Sequence, residues 1–404
     1  MWIATAIGIG FGAFAQGSAS LLQQLATPCL GLFAAGMLCH GELARTRPDP
    51  AHLTEYYLLI ALGGALGSIA ISWLAPALLD DYYELELSAL AVFVVLLLGA
   101  SGWSGGQRRL LYLGIGICGP LLLASVVVRA QTDSTQGHVL ERRRGFLGPL
   151  RVIETREGRL LKHGRIRHGM QLFDPRAPQQ LLATPTMYFA QGTAVAQVMT
   201  THAIERPRTI GIVGLGVGTL ASYARAGDRV RFYELDENVV ELAKQHFTFL
   251  SKSAGKIDIS VGDGRSLLGR QPPQRFDLLV LDAFSSDAVP VHLLTREAFT
   301  LYAEQLALDG VLLANVSNRH LSVERAVQAA AESVGLVCRV VETEADPALH
   351  RERVRWAVMA RQPAQLTMLL AGLPVVRETE PPVLFTDTRA SLLSIVKSAT
   401  ATAR

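Results

Sequence analysis

Charge is scarce in the first third of this 404-residue chain. Residues 1–128 hold no lysine, four arginines and seven carboxylates, whereas the remainder carries 34 basic and 28 acidic residues. Soluble domains usually have about a quarter of their positions charged, so the low overall figure of 18% is an average of two unlike parts. One uniform soluble globule is excluded, and so is a disordered or collagen-like chain. Cysteine is also sparse. Cys29, Cys39, Cys118 and Cys338 form no CxxC pair and no metal-ligand spacing, which leaves them as small apolar residues rather than a disulfide frame or zinc site. The net charge of +3 is too mild to argue for a nucleic-acid partner.

What the first part does have is long apolar runs. A transmembrane helix needs about 20 mostly apolar residues. Trp2–Leu22, Leu25–Leu43, Tyr56–Leu79, Leu85–Ala100 and Leu110–Val128 approach that length, and they predict four to five spans over residues 1–128. Trp2 follows Met1 with no basic stretch before the first run, so a cleavable signal peptide is not expected. The small-residue run Gly63-Gly64-Ala65-Leu66-Gly67 suits close helix packing in lipid. His40, Glu42 and His52 read as a solvated cluster at a loop. Arginines flank the runs on both sides, and loop counting does not fix the orientation.

Residues 129–208 read as a linker and a β-rich lead-in, with strands at Leu150–Glu154, Arg159–Lys162 and Arg165–Leu172 and a helix over Gly192–Ile204. Arg142–Arg144 reads as a membrane-proximal basic patch. From residue 209 to 404, strand and helix alternate. Thr209–Val213, Arg229–Glu234, Ile257–Val261, Phe276–Leu281, Val311–Val316, Val337–Glu342 and Arg355–Ala360 are the predicted strands. Helices are predicted from the glycine turn to Ala226, then at Asn238–His246, Thr295–Leu306 and Val323–Val334. Such alternation predicts a Rossmann-like, doubly wound and mostly parallel sheet. The fold class is therefore an N-terminal α-helical transmembrane bundle followed by an α/β Rossmann-like, methyltransferase-type domain with a small β-rich lead-in.

Four motifs fall at successive strand ends. Gly214-Leu215-Gly216-Val217-Gly218 follows the first strand, where Gly214, Gly216 and Gly218 let the backbone approach a ligand. Glu234-Leu235-Asp236 ends the second strand, the usual place of an acid that accepts ribose hydroxyls. Glu234 is the stronger ligand candidate; for Asp236 a solvated turn is an equal alternative. Gly262-Asp263-Gly264 ends the third strand, with Asp263 placed to accept from an adenine amino group. Asp282-Ala283-Phe284-Ser285-Ser286-Asp287 follows the fourth. Acids along the carboxyl edge of an open sheet suit an adenosine ligand with a cationic partner. Asn315–Arg319 ends another strand, as pocket lining or as a capped loop. His168, His202, His292 and His320 read as structural.

With His168-Gly169-Met170-Gln171, the Tyr188 segment and Leu294-Thr295-Arg296-Glu297-Ala298-Phe299 added, these motifs resemble the spermidine synthase family of aminopropyltransferases, from about Phe146 to Val396. The stretch from His40-Gly41-Glu42-Leu43 through Gly64 resembles its membrane-fused bacterial branch. The resemblance implies decarboxylated S-adenosylmethionine as co-substrate, a diamine such as putrescine as acceptor, and no metal. It implies Asp282 as general base, Asp287 and Tyr188 as substrate-binding residues, and Gln171, Gly214, Gly216, Gly218, Glu234, Leu235, Asp263 and Gly264 as the co-substrate site. Further expectations are a small cationic amine and the lipid bilayer as partners, a homodimer, and a bacterial inner-membrane location with the catalytic part cytoplasmic. The chain departs from the family at Val217, where the glycine turn carries an aspartate, and at Ser285, where the second acid of the catalytic loop stands. Those departures leave open an S-adenosylmethionine-dependent N-methyltransferase, or a non-catalytic membrane sensor of polyamines or nucleosides.

Overall fold

The computed structural model describes residues 21–99, 103–109, 111–116, 119–120, 137–145, 147–164, 166–283, 290–376 and 380–397. The chain divides into two compact units, Met1–His138 and Val139–Arg404.

In the first unit, helix α1 spans Leu21–Arg45, α2 Leu53–Ile69 and α3 Glu84–Gly99. Helix α2 runs on through a π turn at Ala70–Leu74 into a last turn at Ala75–Leu78. Its Leu53–Ile69 part has no buried residue and is apolar on nearly every side. Among the described residues, Pro50–Leu78 is the one helix long and apolar enough to cross a membrane. The run expected at Leu25–Leu43 is helical within α1, and that at Leu85–Ala100 is helical within α3 as far as Gly99, Ala100 lying outside the described residues. Those at Trp2–Leu22 and Leu110–Val128 lie largely outside the described residues. Glu42 ends the apolar stretch of α1 in a hydrogen-bonded cluster: it pairs with Arg45 and accepts from the Trp103 indole at 3.3 Å.

The second unit opens with an antiparallel sheet, β1 (His138–Gly145), β2 (Gly148–Glu154), β3 (Gly158–His163), β4 (Ile166–Asp174) and β5 (Ala177–Leu181), paired in chain order. Strands β1 and β5 were not expected. The supposed basic patch lies within β1, where Arg143 pairs with Glu141 and Glu241. Helix α4 (Ala194–Thr201) leads into the main sheet of β6 (Thr209–Val213), β7 (Arg229–Glu234), β8 (Lys256–Val261), β9 (Phe276–Leu281), β10 (Leu306–Asn315), β11 (Val337–Thr343), β12 (Val354–Ala360) and β13 (Val375–Val376). Its order is β13-β11-β12-β10-β9-β6-β7-β8. Strands β6 to β10 are parallel; β12 runs against both β10 and β11. Helices α5 (Glu237–His246), α6 (Gly264–Gly269), α7 (Arg296–Gln305), α8 (Val323–Ser333) and α9 (Pro363–Leu369) cover its faces.

One apolar core packs Val195, Val198 and Met199 of α4 and Leu150, Val152 and Leu161 of the small sheet against Ile210, Ile212 and Phe232. The other sets Phe299 and Tyr302 of α7 and Val327 of α8 against Val213, Leu279 and Leu312. The alternation of inward residues on β6, β9 and β10 supplies both faces, as a sheet covered on two sides requires. The helix expected to run from the glycine turn to Ala226 is instead one short 3-10 turn, Thr219–Tyr223. Gly227 in the left-handed region (φ 90°) and the Asp228 turn bring the chain straight into β7.

Candidate active site

Strand order reverses between β6 and β9, and a ligand crevice in an open α/β sheet forms outside the carboxyl ends of the strands at such a point. The residues there are the glycine loop after β6 and Asp282 after β9. Gly214, Gly216 and Gly218 all have positive φ (99°, 55° and 83°). A Cβ at Gly214 would lie 2.1 Å from the Asp282 carbonyl oxygen, and one at Gly216 would lie 2.7 Å from that of His168. The glycines thus let the loop pass between β9 and the small sheet. Val217 points inward, 1% exposed, against Gly169 of β4.

Glu234 ends β7 with both oxygens engaged: Oε2 accepts from the Leu215 amide at 2.8 Å and Oε1 from the Asp236 amide at 2.9 Å. Burial raises its carboxyl above the ordinary range, against the lowering effect of those amides. Leu235 beside it is 54% exposed, an apolar side chain standing in the open at the strand edge. Asp236 caps α5 through the Asn238 amide at 2.9 Å; it is buried, 8% exposed, so it is a helix cap and not the solvated turn offered as its alternative.

Asp263 caps α6 through the Ser266 amide at 2.8 Å, and its other oxygen meets the His292 Nε2 at 2.9 Å. Burial pulls its carboxyl upward, but the bonds from Ser266 and His292 outweigh it and hold the group below its ordinary value. Gly264 is needed because a Cβ there would fall 2.5 Å from Val213.

Asp282 is partly buried. Its Oδ1 accepts from Asn315 Nδ2 at 2.8 Å. Burial pushes its carboxyl up to about 6; the Asn315 bond opposes this, and the charge of Glu234 adds to it. The Tyr188 hydroxyl donates to the His168 carbonyl at 3.2 Å. Burial, then the charges of Asp282 and Glu352, raise its phenol well above the usual range. Burial, with His163 beside it, lowers the His168 imidazole to about 4, so the ring is neutral near pH 7.

The structure therefore brings Glu234, Asp263 and Asp282 to one sheet edge with the glycine loop, and the Tyr188 phenol lies within reach of the Asp282 charge. Gln171 is placed differently. It is fully buried, both amide hydrogens are used on Leu182 O and Thr248 Oγ1 at 2.8 Å, and its oxygen accepts from the Thr248 amide. It braces β4 against the segment after α5. Asp287 lies outside the described residues.

Two features escaped the sequence. One is the pairing of Asn315 with Asp282. The other is a loop before β12 that holds the Tyr188 segment. Met187 (φ 57°) and His350 (φ 47°) are both left-handed, and the Met187 amide donates to the His350 carbonyl at 2.7 Å. Arg351 Nη1 donates to Gln191 O at 2.9 Å, and the Trp356 indole to Tyr188 O at 3.3 Å. Non-glycine residues tolerate such φ values only where surroundings enforce them.

Sheet order, glycine loop and acidic strand ends define a Rossmann-like, methyltransferase-type α/β domain. No family model matches the chain. Over 115 residues it is 31% identical to a polyamine aminopropyltransferase of Vibrio vulnificus, a match covering 27% of this chain and 38% of that protein. Over 109 residues it is 26% identical to a probable polyamine aminopropyl transferase of Bifidobacterium longum, covering 26% and 23%. The resemblance to the spermidine synthase family, carried above by the motifs, thus extends to aligned sequence. The aligned stretch spans well under half of either relative. Among solved structures, a probable spermidine synthase from Corynebacterium glutamicum overlays at 18% identity and a TM-score of 0.45, covering 63% of this chain and 98% of its own.

Proposed function

We propose that the chain is a membrane-anchored aminopropyltransferase that moves an aminopropyl group from decarboxylated S-adenosylmethionine to a diamine such as putrescine. The observation that carries this reading is Asp282: a partly buried carboxylate at the reversal point of the sheet, held by Asn315 and raised to about 6.

In the reaction the amine nitrogen forms a bond to the methylene beside the sulfonium, the carbon–sulfur bond breaks, and methylthioadenosine leaves. The amine arrives as an ammonium with a pKa near 10.4, about that of lysine, so a carboxylate must orient it and take its proton. Asp282 has that role here, with Tyr188 and Asp287 as amine-binding residues. Each Glu234 oxygen keeps a lone pair beyond its amide bond, enough for two ribose hydroxyls. Asp263 takes the adenine amino group, and Leu235 offers the flat base an apolar surface. Gly214, Gly216, Gly218 and Gly264 let the backbone close on the nucleoside.

The apolar helix Pro50–Leu78, with the other apolar runs of residues 1–128, makes an inner-membrane anchor, the catalytic domain lying on the cytoplasmic side. The working form is a homodimer whose partners are amines and lipid, not nucleic acid.

One observation favours a second reading. Val217 is 1% exposed where the family has an aspartate that meets the aminopropyl ammonium, so S-adenosylmethionine itself, in an N-methyl transfer, fits the same fold. Purified protein given either sulfonium donor plus putrescine decides between them by product mass. Methylthioadenosine formation that disappears in Asp282→Asn supports aminopropyl transfer. S-adenosylhomocysteine supports the methyltransferase, and neither product leaves a non-catalytic sensor.

A further inference from the structure

Asn315 is the last residue of β10 and is 7% exposed. Its Nδ2 donates to Asp282 Oδ1 at 2.8 Å, while its own Oδ1 accepts from the Ser317 amide at 3.0 Å. The second bond fixes the first, because a flipped amide would turn its NH2 group onto the Ser317 N–H and its oxygen onto the carboxylate. Ser317 is held in turn: its Oγ accepts from the Arg355 amide at 2.9 Å, and Val316 N donates to Arg355 O at 3.0 Å. A chain of bonds therefore runs from β12 through Ser317 and Asn315 to one oxygen of Asp282. Among the described residues Oδ2 has no hydrogen-bond donor.

We propose that Asn315 is the positioning residue of the reaction, locking one oxygen of Asp282 so that the other faces the reacting amine. The inference rests on Asp282 being the base. Glu234 from β7 adds its charge to the field at Asp282, and Asp282 adds its own to that at the Tyr188 phenol, from the segment before α4; β6 meets Asp282 through main chain, with Asp282 N donating to Val213 O at 2.8 Å. Asn315 is thus the one described side chain that favours the charged form, against burial and Glu234.

Losing a donor to a charged group moves a protonation midpoint by about one pH unit. The test uses the full chain in detergent with carboxyl-labelled aspartate, the Asp282 signal being assigned by its loss in Asp282→Asn. In Asn315→Leu, close in shape but without a donor, the Asp282 midpoint rises by about one unit. Asn315→Asp keeps the Ser317 bond should the leucine variant not fold, and it gives a larger rise because it adds a second charge. An unchanged midpoint in either folded variant overturns the proposal. The acid limb of kcat/KM for methylthioadenosine formation is followed in parallel and moves with the midpoint; a uniform loss of rate with no movement of the limb means a structural role only. A moved midpoint in a protein that makes no methylthioadenosine from either donor overturns the reading of the reaction and leaves the lock on Asp282 standing.

Discussion

Arg265 grips Asp387 with both terminal guanidinium nitrogens, Nη1 to Oδ1 at 2.8 Å and Nη2 to Oδ2 at 2.6 Å, across 122 residues of chain. Thr295 adds a third bond to the same carboxylate at 2.8 Å. The pair ties the C-terminal segment to α6 and α7, next to Asp263. In sequence Asp387 stood as an isolated acid between two threonines.

Asp387→Asn breaks this clamp. The bond from Arg265, then that from Thr295, lowers the Asp387 carboxyl to about 2. A carboxylate whose folded value is depressed contributes stability above its unfolded value, near 3.9, and loses it as pH falls toward 2. Asp387 is 44% exposed on its side chain, so screening holds the gain to about 1 kcal/mol. Denaturant midpoints of wild type and Asp387→Asn are expected to differ by that amount at pH 7, to differ less in high salt, and to converge between about pH 4 and pH 2.

Asp282 has the opposite sign. Its folded value of about 6 lies above the unfolded one, so the native state binds the proton more tightly, and stability falls as pH rises from about 4 through 6. Asp282→Asn removes this penalty and keeps an oxygen for Asn315. The variant is expected to be more stable than wild type at pH 8, by at most ~3 kcal/mol, with the gap closing near pH 4. Thermal melts across that range check it. The same variant is expected to have lost product formation, the mark of a group kept for chemistry at a cost in stability.

Much of the fold was legible because it rests on local pattern. Phe276–Leu281 is an apolar run broken only by Asp277 and is a strand with those bounds; the glycines after β6 and the acids at strand ends lie where the alternation put them. Features that depend on distant chain were not legible. Nothing in Val354–Ala360 reveals that it runs antiparallel between β10 and β11, because strand direction follows from the connection and not from the strand itself. The Asn315–Asp282 bond joins two strand ends 33 residues apart, and the local sequence shows only that each ends a strand. Gln171 sits in a motif, yet its contacts are set by Thr248, 77 residues away. The left-handed Met187 and His350 carry no glycine or asparagine signal at all.

Gly214→Ala tests whether the loop is conformationally demanding or closely packed. The new methyl would meet the Asp282 backbone at 2.1 Å, and backbone cannot step aside as a flexible side chain can. Gly335 also has positive φ (77°) but nothing within 4 Å, so Gly335→Ala bears strain alone. We expect Gly335→Ala to cost about 1 kcal/mol and Gly214→Ala about 3 kcal/mol or more, with Asp282 displaced and activity lost. Equal losses in the two melts would mean that the loop gives way and packing is not the constraint.

Val217→Asp puts an aspartate where the family carries one, and the resemblance alone would expect tighter binding of an aminopropyl donor. The packing argues for the reverse. Val217 is 1% exposed and lies in the core with Leu215 and Val152. Gly169 faces it so closely that a Cβ there would come within 2.4 Å of Val217 Cγ2. A carboxylate in that place has apolar neighbours, and an uncompensated buried charge costs about 3–5 kcal/mol. Val217→Thr, of nearly equal volume, separates polarity from shape and is expected to cost about 1–2 kcal/mol. The expected result is a large fall in melting temperature for Val217→Asp, a smaller one for Val217→Thr, and no lower KM for the sulfonium donor in either. A stable Val217→Asp protein with a lower KM would mean that the loop can turn this side chain toward the ligand.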